Sequence, residues 1–281
     1  MCIINANSIK NKFLKRILDH IFYLIFVLIF IPGIYYFHLG IVLPNFVGIW
    51  SLEYHFHLLL SHFFLLNVVS NMVFGMFTDT SIKGRFLGST DKKDWTVCSV
   101  CECLRPPRAW HCNICNICIL KRDHHCTFFA CCIGYFNLRY FMFFTFYIFI
   151  ANSYSLYYNI KFLALFLTWN HGIVILKFLF PLFSFVFDFG YESLYVTLVV
   201  VQFVIIAFSG FLFFYHLNNL LKGRVGPEIK LGKKGLLYDK GWKSNLIEVF
   251  GSRYYLTWVA AFINSPLPGN GLEWVVEDKY K

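Results

Sequence analysis

Four long, mostly apolar stretches are set between charges along the chain. Ile21 to Leu39 carries no charged residue, Tyr54 to Thr78 runs uncharged between Glu53 and Asp79, Tyr140 to Ile160 lies between Arg139 and Lys161, and Ser193 to Leu221 lies between Glu192 and Lys222. About 20 mostly apolar residues are needed to cross the hydrocarbon core, and these stretches are too long and too uniformly apolar for ordinary amphipathic helices. The pattern predicts four transmembrane helices. A fifth stretch, Phe162 to Phe187, is broken by Lys177 and Pro181 into pieces short for a span. It reads as an interfacial or re-entrant element, with a fifth crossing as the alternative. The first stretch is too long for the apolar region of a cleavable signal peptide and lacks a small-residue cleavage site.

Charge then orients the spans. Of the 25 lysines and arginines, all but Lys161 and Lys177 fall in the N-terminal arm, in the Asp79 to Arg139 loop or after Leu221. With four spans these three regions share one face, and basic loops stay in the cytosol. Composition agrees: 58% of the 281 residues are hydrophobic and only 14% are charged, against roughly a quarter charged in soluble domains. The net charge of +10 is then a topology bias, and nucleic acid is not an expected partner. The organisation expected is an all-α polytopic membrane protein with four transmembrane helices and a cytosolic two-zinc cysteine-rich domain between the second and third. In residues this is an N-terminal arm 1–20, helices one and two in 21–78, the cysteine-rich domain 79–139, helices three and four in 140–221 with a lumenal or interfacial segment between them, and a cytosolic tail 222–281.

All ten cysteines but Cys2 lie between Cys98 and Cys132. The cytosol keeps thiols reduced, so clustering of this kind points to metal or catalysis rather than to disulfides. Three Cys-x-x-Cys steps (Cys98 to Cys101, Cys112 to Cys115, Cys115 to Cys118) let paired thiolates reach one ion, and His111, His124, His125 and Cys132 are further candidate ligands. Thiolate and imidazole donors suit tetrahedral zinc, and there are too many for one ion and enough for two. Two Cys3His sites would leave three loop cysteines and one histidine over. Either all of these are scaffold, or Cys126, standing in the row Asp123-His124-His125-Cys126, is a thiol activated by an imidazole that a carboxylate orients.

The loop resembles the DHHC cysteine-rich domain of protein S-palmitoyltransferases. The resemblance runs from Cys98 to Phe141. It takes in Arg105, Pro106 and Arg108, the block His111 to Cys118, Asp123-His124-His125-Cys126, Cys132, Gly134, Asn137 and Phe141. It implies two interleaved structural zinc sites, Cys98, Cys101, His111 and Cys118 in one and Cys112, Cys115, His125 and Cys132 in the other. It further implies that Cys126 is the acylated nucleophile, His124 its general base and Asp123 the residue orienting that base. The implied reaction moves a long-chain acyl group from acyl-CoA (palmitoyl-CoA) through acyl-Cys126 to cysteines of membrane-associated substrate proteins. Endoplasmic reticulum or Golgi is the implied location. A catalytically inactive, zinc-stabilised membrane adaptor is the alternative, since a fold does not by itself set a function.

Several family positions differ. Thr127-Phe128-Phe129-Ala130-Cys131 replaces Pro-Trp-x-Asn-Asn, Asp79-Thr80-Ser81 replaces Asp-Pro-Gly, and Val225-Gly226-Pro227-Glu228 keeps only the acid of Thr-Thr-x-Glu. Tyr238 to Trp242, Asn245 and Val249-Phe250-Gly251 resemble the family's C-terminal motif, with Asn245 expected to tie the tail to the spans. Arg105, Arg108, Lys121, Arg122 and Arg139 are candidates for CoA phosphates or for anionic lipid heads. His55, His57, His62, Asn67 and Asn71 in the second span are expected to serve helix–helix hydrogen bonding, with substrate contact as the sharper alternative.

Overall fold

A computed structural model describes residues 6–84, 94–165, 167, 171–181, 186, 190–232 and 236–274, with the side chains of 6–10 and 171–174 excepted. The chain is mostly helical. Its first helix, α1 (Ala6–Ile25), is followed by a π-helical stretch (Phe26–Phe30), α2 (Ile31–Tyr36), a second π-helical stretch (Phe37–Val42) and a 3-10 turn (Leu43–Asn45). Proline has no N–H to donate, so Pro32 forces the helical ladder to widen, and the first π turn sits just before it. Next come α3 (Leu52–Phe77), α4 (Leu138–Ala164), α5 (His171–Leu179), α6 (Tyr191–Leu221), α7 (Gly226–Ile229) and α8 (Trp242–Phe250).

Among the described residues three helical stretches are long and apolar enough to cross a membrane: Asn11–Asn45, Leu52–Phe77 and Tyr191–Leu221. The first begins ten residues earlier than the apolar pattern suggests, because α1 carries the basic arm into the same helix. The α4 helix is long enough at 27 residues, but Tyr140, Tyr147, Asn152, Tyr154, Tyr157, Tyr158 and Asn159 make it more polar. Several of its polar groups find partners on α6. Asn159 Nδ2 donates to Gln202 Oε1 of α6 (2.7 Å), and Gln202 Nε2 donates to Asn152 O (2.8 Å) and Ser155 Oγ (2.7 Å). The nine residues of α5 rise only about 14 Å, under half a hydrocarbon core. The rest of the Phe162 to Phe187 stretch lies partly outside the described residues. Lys177, which interrupts it, is buried against Glu192 at 3.2 Å.

The cysteine-rich loop departs from an all-α description. It holds three two-stranded antiparallel hairpins: β1 (Thr96–Cys98) with β2 (Cys103–Arg105), β3 (Trp110–Cys112) with β4 (Ile117–Ile119), and β5 (His124–Cys126) with β6 (Cys131–Ile133). Hairpins this short are not stable alone. Their strands bring metal-type donors into register instead, His111 opposite Cys118 and His125 opposite Cys132.

The described chain falls into two compact units. One comprises Phe30–Val68 and Thr145–Phe213. Its polar groups include His57, which meets Tyr154 and accepts from or donates to Tyr158 Oη (3.1 Å), and His62, which meets Tyr35 Oη at 2.9 Å. These second-span histidines thus serve contacts within helices and between them. His55 turns back to Ser51 O (2.8 Å) and Asn67 to Phe63 O (3.0 Å).

The other unit comprises Met1–Ile29, Val69–Phe144 and Phe214–Lys281. A buried ion network holds it together. Arg108 donates bidentately to Glu228 (Nε to Oε1 2.7 Å, Nη2 to Oε2 2.8 Å), and also to Gly223 O (2.7 Å) and Glu248 Oε1 (3.3 Å). Lys121 and Lys240 complete Glu248 at 2.6 and 3.1 Å. Tyr238 and Trp274 stack on the Arg108 guanidinium at 4.5 and 4.4 Å. Arg108 and Lys121 are therefore buried braces between the cysteine-rich loop and the tail, which corrects the reading that they face CoA or lipid. Asn245, as expected from sequence, donates to Leu221 O at the end of α6 (3.0 Å) and to Asp239 Oδ1 (2.7 Å).

Burial alone would raise the Glu248 carboxyl, but the charges of Lys121 and Arg108 overcome it and hold it at about 2. This carboxylate's contribution to stability is complete above its unfolded value near 4.5 and is lost as pH falls toward 2. Thermal unfolding in detergent across that window is expected to show the loss, and Glu248→Gln to flatten it. Arg108→Met, which strands the buried Glu228 carboxylate, is expected to destabilise the protein by about 3–5 kcal/mol in denaturant titration.

Candidate active site and metal centres

The hairpins gather eight donors into two sets. In the first, Cys98 ends β1, Cys101 lies in the following turn, and His111 and Cys118 face each other across β3 and β4. In the second, Cys112 ends β3, Cys115 lies in its turn, and His125 and Cys132 face each other across β5 and β6. Within each set the donor atoms lie within 4.8 Å of one another. Cys101 and Cys118 sulfurs are 3.8 Å apart, and Cys115 and Cys132 sulfurs 3.7 Å. Thiolate-to-imidazole distances run from 3.2 Å (Cys101 to His111) to 3.8 Å (Cys112 to His125). Four donors at ordinary Zn–S and Zn–N lengths on a tetrahedron would sit about 3.8 Å (S to S) and about 3.5 Å (S to N) apart. Both sets fit a metal of that kind, and the sulfurs are too far apart to be disulfides.

A carboxylate from outside the loop supports the second set. His125 turns Nδ1 to the thiols (3.3 Å to Cys115), and its Nε2 donates to Asp19 Oδ2 of α1 at 2.9 Å. Asp19 and His125 are both buried there. Carboxylate–histidine pairs of this type fix the ring and raise its basicity toward metal. Sequence reasoning missed Asp19, which lies 106 positions from its partner and carries no local signal. The α1 helix is seated beside this site by Phe22 and Phe26, whose rings meet Phe128 edge-on at 5.3 Å.

Strand alternation decides what His125's neighbours do. Successive side chains of a strand point to opposite faces, so with His125 turned to the metal donors, His124 and Cys126 share the other face. Cys126 belongs to neither donor set and is 7% exposed. Burial pushes its thiol up to about 11, against the pull of the backbone N–H groups of Phe129 and Phe128. Those groups start the 3-10 turn Thr127–Phe129 that follows the cysteine.

Beside it, the buried Asp123 carboxylate accepts from His124 Nδ1 at 2.7 Å and, through Oδ1, from the Gly226 N–H at 2.7 Å. Burial works to raise its pKa, but contacts with His124 and His216 hold it well below the usual carboxylate range. An ionised carboxylate only accepts, so His124 carries its proton on Nδ1 and leaves Nε2 as a base. Among the described residues no hydrogen bond joins His124 to the Cys126 sulfur. Such bonds commonly close only once substrate is bound. His216, near the end of α6, places Nδ1 3.2 Å from Asp123 Oδ2 and was not foreseen from the sequence. Gly226 approaches so closely that a Cβ there would stand 2.9 Å from the Asp123 carbonyl oxygen.

Arg105 bonds Thr96 Oγ1 from Nε (3.1 Å) and Arg139 bonds Tyr140 Oη (2.6 Å), so both are engaged within the loop region. Cys131 lies opposite Cys126 across the hairpin, with its sulfur turned to Gly75 O at 3.7 Å and outside both donor sets. Asn137 donates to Gly75 O and Cys132 O and accepts from Gly134 N, fixing the hairpin to the end of α3.

The described chain thus combines helices long and apolar enough to cross a membrane, two Cys3His sets that could each hold a metal ion, and a cysteine outside both sets on the same strand face as an Asp-paired histidine. The family described as DHHC palmitoyltransferase matches residues 91–228. The chain is similar to the mouse protein named "Probable palmitoyltransferase ZDHHC24", at 32% identity over 226 residues that cover 76% of each chain. The human protein of the same name is 33% identical over 221 residues, again 76% of each. The Arabidopsis thaliana protein named "Probable protein S-acyltransferase 12" is 29% identical over 163 residues, 56% of this chain and 50% of its own. The chain belongs to the DHHC palmitoyltransferase family, and its activity is protein S-acylation.

The Asp19 contact carries a prediction about metal affinity. Asp19→Ala is expected to weaken retention of a metal at the Cys112, Cys115, His125 and Cys132 set by roughly 10- to 100-fold, measured as metal release to a chromogenic chelator. The Cys98, Cys101, His111 and Cys118 set is expected to be unaffected.

Proposed function

We propose that Cys126 carries the acyl group in this chain, with His124 as its base and Asp123 orienting that base. One observation supports this most: β5 turns His125 to the metal donors and leaves Cys126 and His124 together on its other face. In the first step His124 Nε2 takes the Cys126 proton and the thiolate attacks the thioester carbonyl of a long-chain acyl-CoA. The CoA thiolate leaves and is protonated from His124. In the second step a substrate cysteine gives its proton to His124, attacks acyl-Cys126 and expels the Cys126 thiolate, which takes the proton back from His124. A thiol raised to about 11 is almost wholly protonated at neutral pH, which is why the chemistry needs a positioned base.

Two zinc ions are the metals proposed for the Cys3His sets, each closed by four protein donors and so structural rather than catalytic. They hold short hairpins that could not otherwise keep the thiol in place. The α4 helix is proposed as a fourth crossing, with its polar side chains turned to helix partners such as Gln202. With four crossings, the basic arm, loop and tail share the cytosolic face. An acyl chain of sixteen carbons favours an apolar surrounding by roughly 12 kcal/mol, which a bundle of membrane helices supplies. The substrates proposed are membrane-associated proteins that present a cysteine, met at an endoplasmic reticulum or Golgi membrane.

Incubation with a clickable palmitoyl-CoA analogue is expected to give hydroxylamine-labile labelling of the wild-type chain that vanishes in Cys126→Ser. His124→Ala is expected to slow labelling by about 10²–10⁴-fold, the usual worth of a general base. A well-folded wild type with normal zinc content and no label would leave only the adaptor.

A further inference from the structure

We propose that His216 is a positioning residue for this reaction, holding the Asp123 carboxylate so that it in turn holds His124. The inference rests on the assignment of His124 as base and goes beyond it by bringing α6 into the active site. Asp123 Oδ2 has two imidazoles beside it, His124 Nδ1 at 2.7 Å and His216 Nδ1 at 3.2 Å, while Oδ1 is taken by the Gly226 N–H. The Asp123 side chain is only 5% exposed, so water is poorly placed to replace a lost donor. A buried carboxylate short of a partner rotates to find one, and any rotation about χ2 moves Oδ2 away from His124.

The two rings are not equivalent. His124 is 32% exposed and His216 only 12%, so His124 is the ring open to reactants and His216 the one packed behind it. Phe141 meets both edge-on, at 4.8 Å from His124 and 4.9 Å from His216, and the two imidazole centroids are 5.3 Å apart. The stack fixes His216 by its ring and leaves its nitrogen to do the orienting. A shift of about 1 Å in such a group can cost about 100-fold in rate.

Three variants separate the donor from the ring. His216→Phe keeps the ring and removes the N–H, His216→Asn keeps an N–H near the Nδ1 position and removes the ring, and His216→Ala removes both. Each is purified in detergent, and the acylation rate of Cys126 is followed against concentration of the palmitoyl-CoA analogue. Zinc content and unfolding midpoint are measured on the same samples. The expected result is a saturating rate lowered roughly 10- to 100-fold in Phe and Ala, an unchanged half-saturating analogue concentration, and recovery of most of the rate in Asn. A Phe variant as fast as wild type, or an Asn variant as slow as Ala, overturns the proposal in favour of packing. Loss of a third equivalent of zinc in Ala overturns it too, since the Asp123, His124 and His216 donors also lie within 4.8 Å of one another. Cys126→Ser and His124→Ala are run alongside. If wild type itself takes no label, the underlying mechanism fails with it; if wild type is labelled through Cys126 and only the His216 results disagree, this inference alone fails.

Discussion

The two-residue repeat of a β-strand, applied over three residues, is the constraint on which this site depends. In β5 it sends the His125 ring toward Cys112, Cys115 and Cys132 and leaves His124 and Cys126 on the other side. Metal ligation and acyl-transfer chemistry need opposite things from a cysteine–histidine segment. Ligands must be saturated and buried, whereas a nucleophile and base must keep free valence. A strand is suited to both needs because neighbouring residues never share a face. The hairpin partner repeats the division, Cys132 standing opposite His125 with the ligands and Cys131 opposite Cys126.

Such a small hairpin has no core of its own, so its position is borrowed from the elements around it. Gly226 at the start of α7 donates its N–H to Asp123, and two residues later Glu228 grips Arg108 bidentately. A single turn of helix therefore locks both Asp123 and the buried brace. Here the chain departs from its family, with Val225 and Gly226 where the family has two hydroxyl residues. The contact to Asp123 is made here by the backbone, and glycine lets the turn come within reach.

The sequence disclosed the parts whose signal is local. Apolar runs marked α3 and α6, and the Cys-x-x-Cys spacings marked the turns in which Cys101 and Cys115 sit. It was less informative wherever a partner lies far along the chain. Asp19 and Glu248 are ordinary acids in ordinary helices until folding brings them to His125 and Lys121. His216 stands in an apolar run that reads as a span, where a lone histidine passes for a helix contact. Arg108 and Lys121 look like surface cations because nothing local shows that two acids from the tail will bury them. Hydropathy marked Tyr140 to Ile160, but the partners of the polar groups in α4 come only with folding, Gln202 accepting from Asn159 and donating to Ser155.

His124 and His125 are chemically identical and adjacent, yet their ring nitrogens have different partners. His125 has Nδ1 among the thiols and Nε2 held by Asp19. Both nitrogens are occupied, so the ring can neither take nor give a proton without breaking a contact. His124 has Nδ1 held by Asp123 and no corresponding partner on Nε2 among the described residues. One nitrogen fixes the tautomer and the other keeps its lone pair. The distinction lies in which face of β5 each ring takes and in which carboxylate meets it there. Asp19 arrives from α1 on the metal side, and Asp123 stays on the thiol side.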